Sequence, residues 1–543
     1  MTTAFLLLIS VSAVSLVLYS HQAHDAHHEA FGGRAFGFDG LDGALAGRHG
    51  RTKHVQDGEG GRQKLARAGG QARHVGGRID WRGEFHADRE DREQEEAAEE
   101  EDGEEEVVEE EEEEDRDEAW GKEHERAQPS GRLDTADDEN GHGHVGKRQK
   151  TKASARVVSR QWVSQAGRAG AYAYNHMAMV SRLKNGTLLA SWQASAMGEG
   201  KPDQALRLAH GRLTELGDDS SITWGKAFPA PLGGPGDAKG GVVWSPVTHV
   251  DRDGRVFLFY TQSTPGCRAP GGDVKLVVYS PDEETWSQPR TIYGYADGRI
   301  NKVIANKLVV TSSGTWVLPF WRELGPCRST AQVEPTAGVL VSKDRGATWK
   351  PHGHIAHAST WLIEQTVVET TAPGGSPTLL MLCRTAANHV FRSTSKDDGR
   401  SWSTAEPIMN LPNPNAKIAA LGGLGGGGGR WIVMVLNDHK ELPQPYRRCR
   451  TKLRVVGSVD GGKKWERLAS VEETLKPGLR YHYPTLMTID GDMNHGADEL
   501  DEARVGGVTG DFVLMYSTFF MKGFSKGGVK EGINSVVLRL TLP

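Results

Sequence analysis

Three observations predict an all-β chain folded as a six-bladed β-propeller. The pattern Ser-x-Asp-x-Gly-x-x-Trp occurs three times, over residues 342–349, 395–402 and 458–465. Two decayed copies, 217–224 and 280–286, extend the series, so that five Trp positions fall 62, 63, 53 and 63 residues apart. Between them lie short, alternating, β-rich apolar runs, and helical periodicity is hard to find after residue 150. A period of that length suits a four-stranded antiparallel blade.

The eight-residue pattern has the chemistry of a tight hairpin turn. An Asp side chain folds back on turn amides, Gly supplies positive φ, and Trp covers the turn with a large apolar plate. Such boxes belong at the outer turns of blades, and their Asp residues are expected to be structural. The apolar runs 187–192, 256–261, 315–320, 378–382 and 431–436 supply one strand of each repeat. A last unit, 481–540, has strands at 511–518 and 535–540 but no box. The β-rich stretch 156–163 is expected to complete that closing blade and join the two ends of the domain.

The chain of 543 residues divides unevenly. Residues 4–19 form a continuous apolar run, read as a signal peptide over 1–23 or, second, as an uncleaved anchor holding the protein to a membrane. Either places the propeller in the secretory pathway, secreted or membrane-anchored. Residues 24–150 are expected to be disordered: 84–118 alone hold 23 Asp or Glu against three Arg, amid Gly-, His- and Gln-rich sequence with few aliphatics. The propeller occupies 151–543.

The net charge of −6 hides a basic propeller, with 46 Lys or Arg against 35 Asp or Glu after residue 150. That excess suits an anionic ligand, or a solvated surface neutralised by the acidic run. No Arg- or Lys-rich helix with interleaved aromatics argues for nucleic acid. Of four cysteines, Cys267 and Cys327 sit in similar Pro/Gly loops of neighbouring blades and suit a bridge, whereas Cys383 reads as a buried small hydrophobe. No His, Cys and carboxylate cluster has metal-ligand spacing, and neither metal nor cofactor is expected.

Beyond the boxes, an ordered set of short motifs resembles the sialidase (neuraminidase) superfamily, in its BNR-repeat, Asp-box branch, over about 170–540. The set comprises Asn175-His176-Met-Ala, Lys201-Pro-Asp203, Arg299-Ile-Asn-Lys302, Leu318-Pro-Phe-Trp-Arg322-Glu323, Glu364-Gln-Thr-Val-Val-Glu369, Leu411-Pro-Asn-Pro-Asn415 and Tyr483-Pro-Thr-Leu486. The resemblance implies a retaining exo-glycosidase that removes a terminal acidic sugar from a glycan or glycoconjugate. In that layout arginines grip the sugar carboxylate in bidentate geometry. A neutral Tyr suits an anomeric carbon that bears a carboxylate and repels a charged nucleophile.

Carried over residue by residue, the resemblance makes Asp203 the acid/base, Tyr483 the nucleophile and Glu364 the acceptor of its proton. Arg384 and Arg450 match carboxylate-binding arginines. The departure falls at His176, where sialidases carry the Arg of Arg-Ile-Pro. A His can hydrogen-bond a carboxylate but lacks the fixed fork and permanent charge. Arg299, Lys302 and Arg322 are the candidates for restoring that charge, and Glu199 and Asn437 are further pocket candidates. The substrate is then sialic acid, a related 2-keto sugar acid or a uronate-containing glycan. The alternatives in other classes are a non-catalytic glycan-binding propeller and a uronate polysaccharide lyase.

Overall fold

The computed structural model describes residues 152–168, 171–214, 218–232, 241–325, 334–371, 375–424, 431–489 and 508–543. The apolar leader, the whole of the segment 24–150 expected to be disordered with its acidic run, and Cys327 lie outside these residues. Among the described residues, strands form six antiparallel sheets of four or five strands each. The sheets are propeller blades, numbered here in chain order. Their first strands are Tyr174–Arg182, Val243–Val250, Asn301–Val303, Ile363–Thr371, Ala419–Leu424 and Leu479–Thr488. Most of these first strands pack against those of adjacent blades, and that of blade 6 meets that of blade 1, so the first strands line the axis.

Closure uses the N-terminal strand. Ser154–Gln165 pairs antiparallel with Gly532–Leu542, with Trp162 opposite Asn534, as the outer strand of blade 6. Both ends of the domain thus share one sheet, as the run 156–163 predicts.

The second strands show why the repeats are visible in sequence. Leu188–Ser195 and Trp431–Asn437 are buried at every position, because blades cover both faces. Such strands read as continuous apolar runs rather than alternating ones. Apolar clusters fill the gaps between blades: Trp192, Met515 and Val537 join blades 1 and 6, and Phe259, Trp316 and Phe320 join blades 2 and 3. Each such fully buried side chain contributes about 1.5–3 kcal/mol, so the ring is held mainly by blade-to-blade packing.

The three complete boxes form one structure three times. In the first, Ser342 Oγ donates to Asp344 Oδ1 (2.8 Å) and accepts from Gly346 N, while Asp344 accepts from Thr348 N, and Trp349 Nε1 donates to Gly346 O (3.1 Å). The boxes at Asp397 and Asp460 repeat these bonds. Gly346, Gly399 and Gly462 have φ of 84°, 83° and 80°. In the decayed copy, Trp224 Nε1 donates instead to Ser535 Oγ of the closing blade. Cys383 is fully buried, and Cys267 is disulfide-bonded.

Candidate active site

Four first strands share a local defect. Their pairing slips between His176 and Met179, Trp244 and Val247, Ile363 and Thr366, and His482 and Thr485. In each bulge a residue other than Gly is left-handed: Met177 (φ 56°), Ser245 (51°), Glu364 (47°) and Tyr483 (54°). A bulge re-aims the side chain beside it. Here it brings together residues more than three hundred positions apart.

Tyr483 is the centre of the constellation. Its hydroxyl donates to Glu364 Oε1 (2.6 Å) and accepts from Arg384 Nη1 (3.1 Å). The same Nη1 lies 3.0 Å from Glu364 Oε2, and Arg384 Nε donates to Asn415 Oδ1 (2.7 Å). Glu364 and Arg384 are both buried. Met177, Val303, Ala305, Trp321 and Ile363 pack beside the Tyr483 ring. Ile363 also lines a cleft with Thr336, Ile355, His357 and Trp361.

His176 stands edge-on to Tyr483, with centroids 4.2 Å apart, and 4.8 Å from His482. Its Nδ1 shares a hydrogen bond with Ser517 Oγ (3.0 Å). Arg450 Nη1 donates to His482 Nδ1 (2.8 Å), and its guanidinium carbon lies 5.8 Å from the Tyr483 ring centre. In the neutral ring that bond leaves the proton on Nε2, a buried atom without a partner among the described residues.

The electrostatics follow from burial and a cationic surround. Burial and then the charge of Glu364 push the Tyr483 phenol up, while Arg384 and Arg450 pull it the other way. The resting nucleophile candidate is therefore a neutral phenol next to a base. Burial holds His176 well below the ordinary histidine range, and the charges of Arg450, Arg480, Lys417 and Arg384 reinforce it. His482 is lowered by burial, by His176 and by Arg450. Neither ring supplies a permanent positive charge.

The structure thus brings together five of the six predicted site residues: His176, Glu364, Arg384, Arg450 and Tyr483. Asp203 sits in the loop after strand Leu188–Ser195. Its Oδ1 accepts from Ser195 Oγ and its Oδ2 from Ala196 N, both at 2.6 Å. Glu199, in the same loop, hydrogen-bonds the phenol of Tyr174, which also accepts from Gln193 Nε2 (3.1 Å) and whose ring lies 5.8 Å from His176.

The cations suggested for restoring charge are placed otherwise. Lys302 is fully buried, and its Nζ donates to the carbonyls of Gly294 (2.6 Å), Tyr295 and Asp297. Arg322 Nη1 donates to Thr336 Oγ1 (3.1 Å) and Gly353 O (3.2 Å), and Arg299 is exposed. Asn437 braces backbone, donating to Thr451 O (2.9 Å) and Tyr481 O (2.8 Å). The residues that sequence reasoning missed are Arg480, Lys417 and Tyr174. Arg480 sits three positions before Tyr483 and forms a parallel bridge with Arg450. Among the described residues no group of three or more His, Cys, Asp or Glu is placed to hold a metal ion.

A family model described as a BNR repeat-like domain matches residues 186–495. The chain belongs to the BNR repeat-like family. That match runs from the first blade into the sixth and spans all three complete boxes of this BNR repeat-like chain. No curated protein matches it. Among solved structures it is similar to a Hadza microbial sialidase, at 16% identity and a TM-score of 0.49, over 70% of this chain and 68% of that one. It is also similar to the intramolecular trans-sialidase of Ruminococcus gnavus, at 14% identity and 0.49, over 69% and 96%. The NanB sialidase of Streptococcus pneumoniae shares 12% identity at 0.47, over 70% of each chain.

Proposed function

We propose that this protein is a retaining exo-glycosidase that removes a terminal acidic sugar, sialic acid or a related 2-keto sugar acid, from a glycan. The observation that carries the reading is the Tyr483–Glu364–Arg384 cluster, in which a neutral phenol hydrogen-bonds at 2.6 Å to a buried carboxylate held by a guanidinium. Tyr483 Oη attacks the anomeric carbon and passes its proton to Glu364 Oε1. The bond to the leaving oxygen breaks, and Asp203 protonates that oxygen. In this role Asp203 exchanges one of its contacts, with Ser195 Oγ or Ala196 N, for the glycosidic oxygen. Water then attacks the Tyr483 adduct, giving its proton to Asp203, and Glu364 returns the phenolic proton. Net retention results.

Arg384 and Arg450 grip the sugar carboxylate. Arg480 replaces the charge that His176 lacks, and neutral His176 offers a hydrogen bond. The disulfide at Cys267 supports an oxidising, extracytoplasmic setting.

The test is to incubate the full chain with fluorogenic glycosides of sialic acid, its deaminated analogue and uronates. Wild type is expected to release fluorophore from at least one. Tyr483→Phe is expected to lose roughly a thousandfold in kcat while still binding the sugar. Failure to cleave any of them, or an inverted anomer in the first-formed product by NMR, overturns the reading. One contact favours a second reading. Neutral His176 against Tyr483, beside arginines that neutralise a carboxylate, is also an acid/base pair for uronate elimination. An unsaturated, ultraviolet-absorbing product identifies that lyase.

A further inference from the structure

Lys417 is 1% exposed, at the entrance to blade 5, on a segment that turns inward through left-handed Asn415. Its Nζ donates to Pro484 O (2.6 Å), the carbonyl next along the chain from Tyr483. The neighbouring Ile418 is tied to the base: Asn306 Nδ2 donates both to Glu364 O (2.9 Å) and to Ile418 O (3.1 Å). Tyr483 then closes the circuit onto Glu364 Oε1. Four blades are stitched in sequence: Asn306 of blade 3, Glu364 of blade 4, Lys417 and Ile418 of blade 5, Tyr483 and Pro484 of blade 6. Two left-handed bulge residues, Glu364 and Tyr483, face each other across this circuit.

A neutral donor would satisfy the Pro484 carbonyl without burying an ammonium group, which is costly to remove from water. A lysine there adds charge as well as a hydrogen bond. Burial lowers it to about 7, against the opposing pull of Glu364.

We propose that Lys417 is a positioning residue for Tyr483, holding the left-handed bulge through the Pro484 carbonyl and placing a second cation, with Arg384, beside the single carboxylate of Glu364. The catalytic consequence rests on the glycosidase reading above, whereas the positioning itself does not. With the phenol fixed against Glu364, attack begins from an aligned conformer. With the bulge released, the Tyr483 hydroxyl loses its register with both Glu364 and the bound sugar.

The test uses Lys417→Met, which removes pin and charge, and Lys417→Gln, which keeps a donor without the charge. Both are made in the full chain, with circular dichroism as the folding control. The first readout needs no turnover. Carbon-13 tyrosine labelling, with the Tyr483 resonance assigned through Tyr483→Phe, is followed across pH. Tyr174, His176, Glu364, Arg384, Arg450 and His482 are the other ionisable groups around Tyr483. Both histidines are held well below the neutral range, so a transition near 7 reports Lys417.

The Tyr483 resonance is expected to move in Lys417→Met and to lose that transition in both variants. An unmoved resonance in Lys417→Met, or a transition that survives in both variants, overturns the inference. The second readout is kinetic: kcat of Lys417→Met is expected to fall about a hundredfold, with KM within a factor of about three. If wild type cleaves no acidic glycoside yet the NMR signature holds, the glycosidase reading falls and the positioning role stands. If wild type turns over normally and Lys417→Met matches it, the positioning role falls alone.

Discussion

The outer turns and the axial bulges meet the same backbone demand with different residues. Both need a residue at positive φ. Each box carries two left-handed residues in a row: Arg345 (54°), Asp398 (56°) or Gly461 (74°), then Gly346, Gly399 or Gly462 at 80° to 84°, and the box Asp side chains satisfy the turn amides. At the axis it is Met177, Ser245, Glu364 or Tyr483, at 47° to 56°. A left-handed conformation costs a non-Gly residue on the order of 1–3 kcal/mol. The box needs no particular side chain at these positions: the first is Arg, Asp or Gly, and the second is Gly in all three. On the glycosidase reading proposed above, the axis needs the phenol and the carboxylate there, so strain is accepted and held by contacts such as Lys417 to Pro484.

The largest expected effect tests whether the strained position is kept for its side chain. Glu364→Gln preserves shape but removes the proton acceptor for Tyr483, so kcat on the acidic glycoside is expected to drop roughly 10²- to 10⁴-fold. Binding of the intact sugar is expected to change little, whereas the melting temperature falls because the charge that faces buried Arg384 is lost. Equal turnover by the two proteins would mean that the axial strain serves folding, and the contrast with the boxes would collapse.

Next comes the stability burden at the axis. Lys417 is lowered from 10.5 to about 7 in the folded state. The unfolded chain therefore holds this proton more tightly, and native stability rises with pH from about 7 to about 10.5. Below about 7 the burial penalty is complete. Lys417→Met is expected to be more stable than wild type there by on the order of 3–5 kcal/mol, reduced by about 1 kcal/mol for the lost hydrogen bond. Glu364 keeps Arg384 as partner, so the variant leaves no isolated buried charge. Urea unfolding at several pH values checks this: the gain must shrink as pH rises above neutrality, and a pH-independent gain would count against an ionisable burden.

These two regions also differ in how far they were legible. The boxes are local: Asp, Gly and Trp lie within eight residues, so their turn follows from the residues themselves. The closing strand was visible too, because 156–163 is β-rich with no partner of its own, and it pairs as Ser154–Gln165 with the C-terminal strand. The axial site was reached only through resemblance, since a bulge breaks the two-residue period that tells which way a strand side chain points. Lys417 illustrates the limit: in Asn-Pro-Asn415-Ala-Lys417 it reads as a solvated loop charge, and only the convergence of four blades buries it. Arg480 was hidden likewise, because its bridge to Arg450 is a long-range pairing that no local pattern announces.

The third test strikes the boxes where glycine is the solution. A Cβ on Gly462 would stand 2.5 Å from Leu380 Cδ2, a fully buried side chain with little room to shift, whereas on Gly399 the nearest contact is Val339 Cγ2 at 3.2 Å. Both positions are left-handed. Gly462→Ala is therefore expected to cost roughly 2–3 kcal/mol and Gly399→Ala roughly 1–2 kcal/mol, with kcat unchanged in both. The reverse order in urea midpoints would show that the contact of the added Cβ with the neighbouring blade does not govern these sites.

The smallest expected effect is the acid sensitivity of a single box. Hydrogen bonds from the Thr348 hydroxyl and amide hold Asp344 well below the usual carboxylate range, at about 2. A depressed carboxylate stabilises the fold fully above its unfolded value of about 4, and the contribution disappears as pH falls through about 2. Asp344 is exposed, so solvent screening discounts its worth to about 0.5–1 kcal/mol. Asp344→Ala is expected to be less stable than wild type by that amount at neutral pH, with the gap closing between about pH 4 and pH 2. A gap that stays constant into acid would mean that the box is held by its Gly and Trp rather than by its carboxylate. The outer turn would then resemble the axis more closely, relying on packing rather than on its own polar bonds.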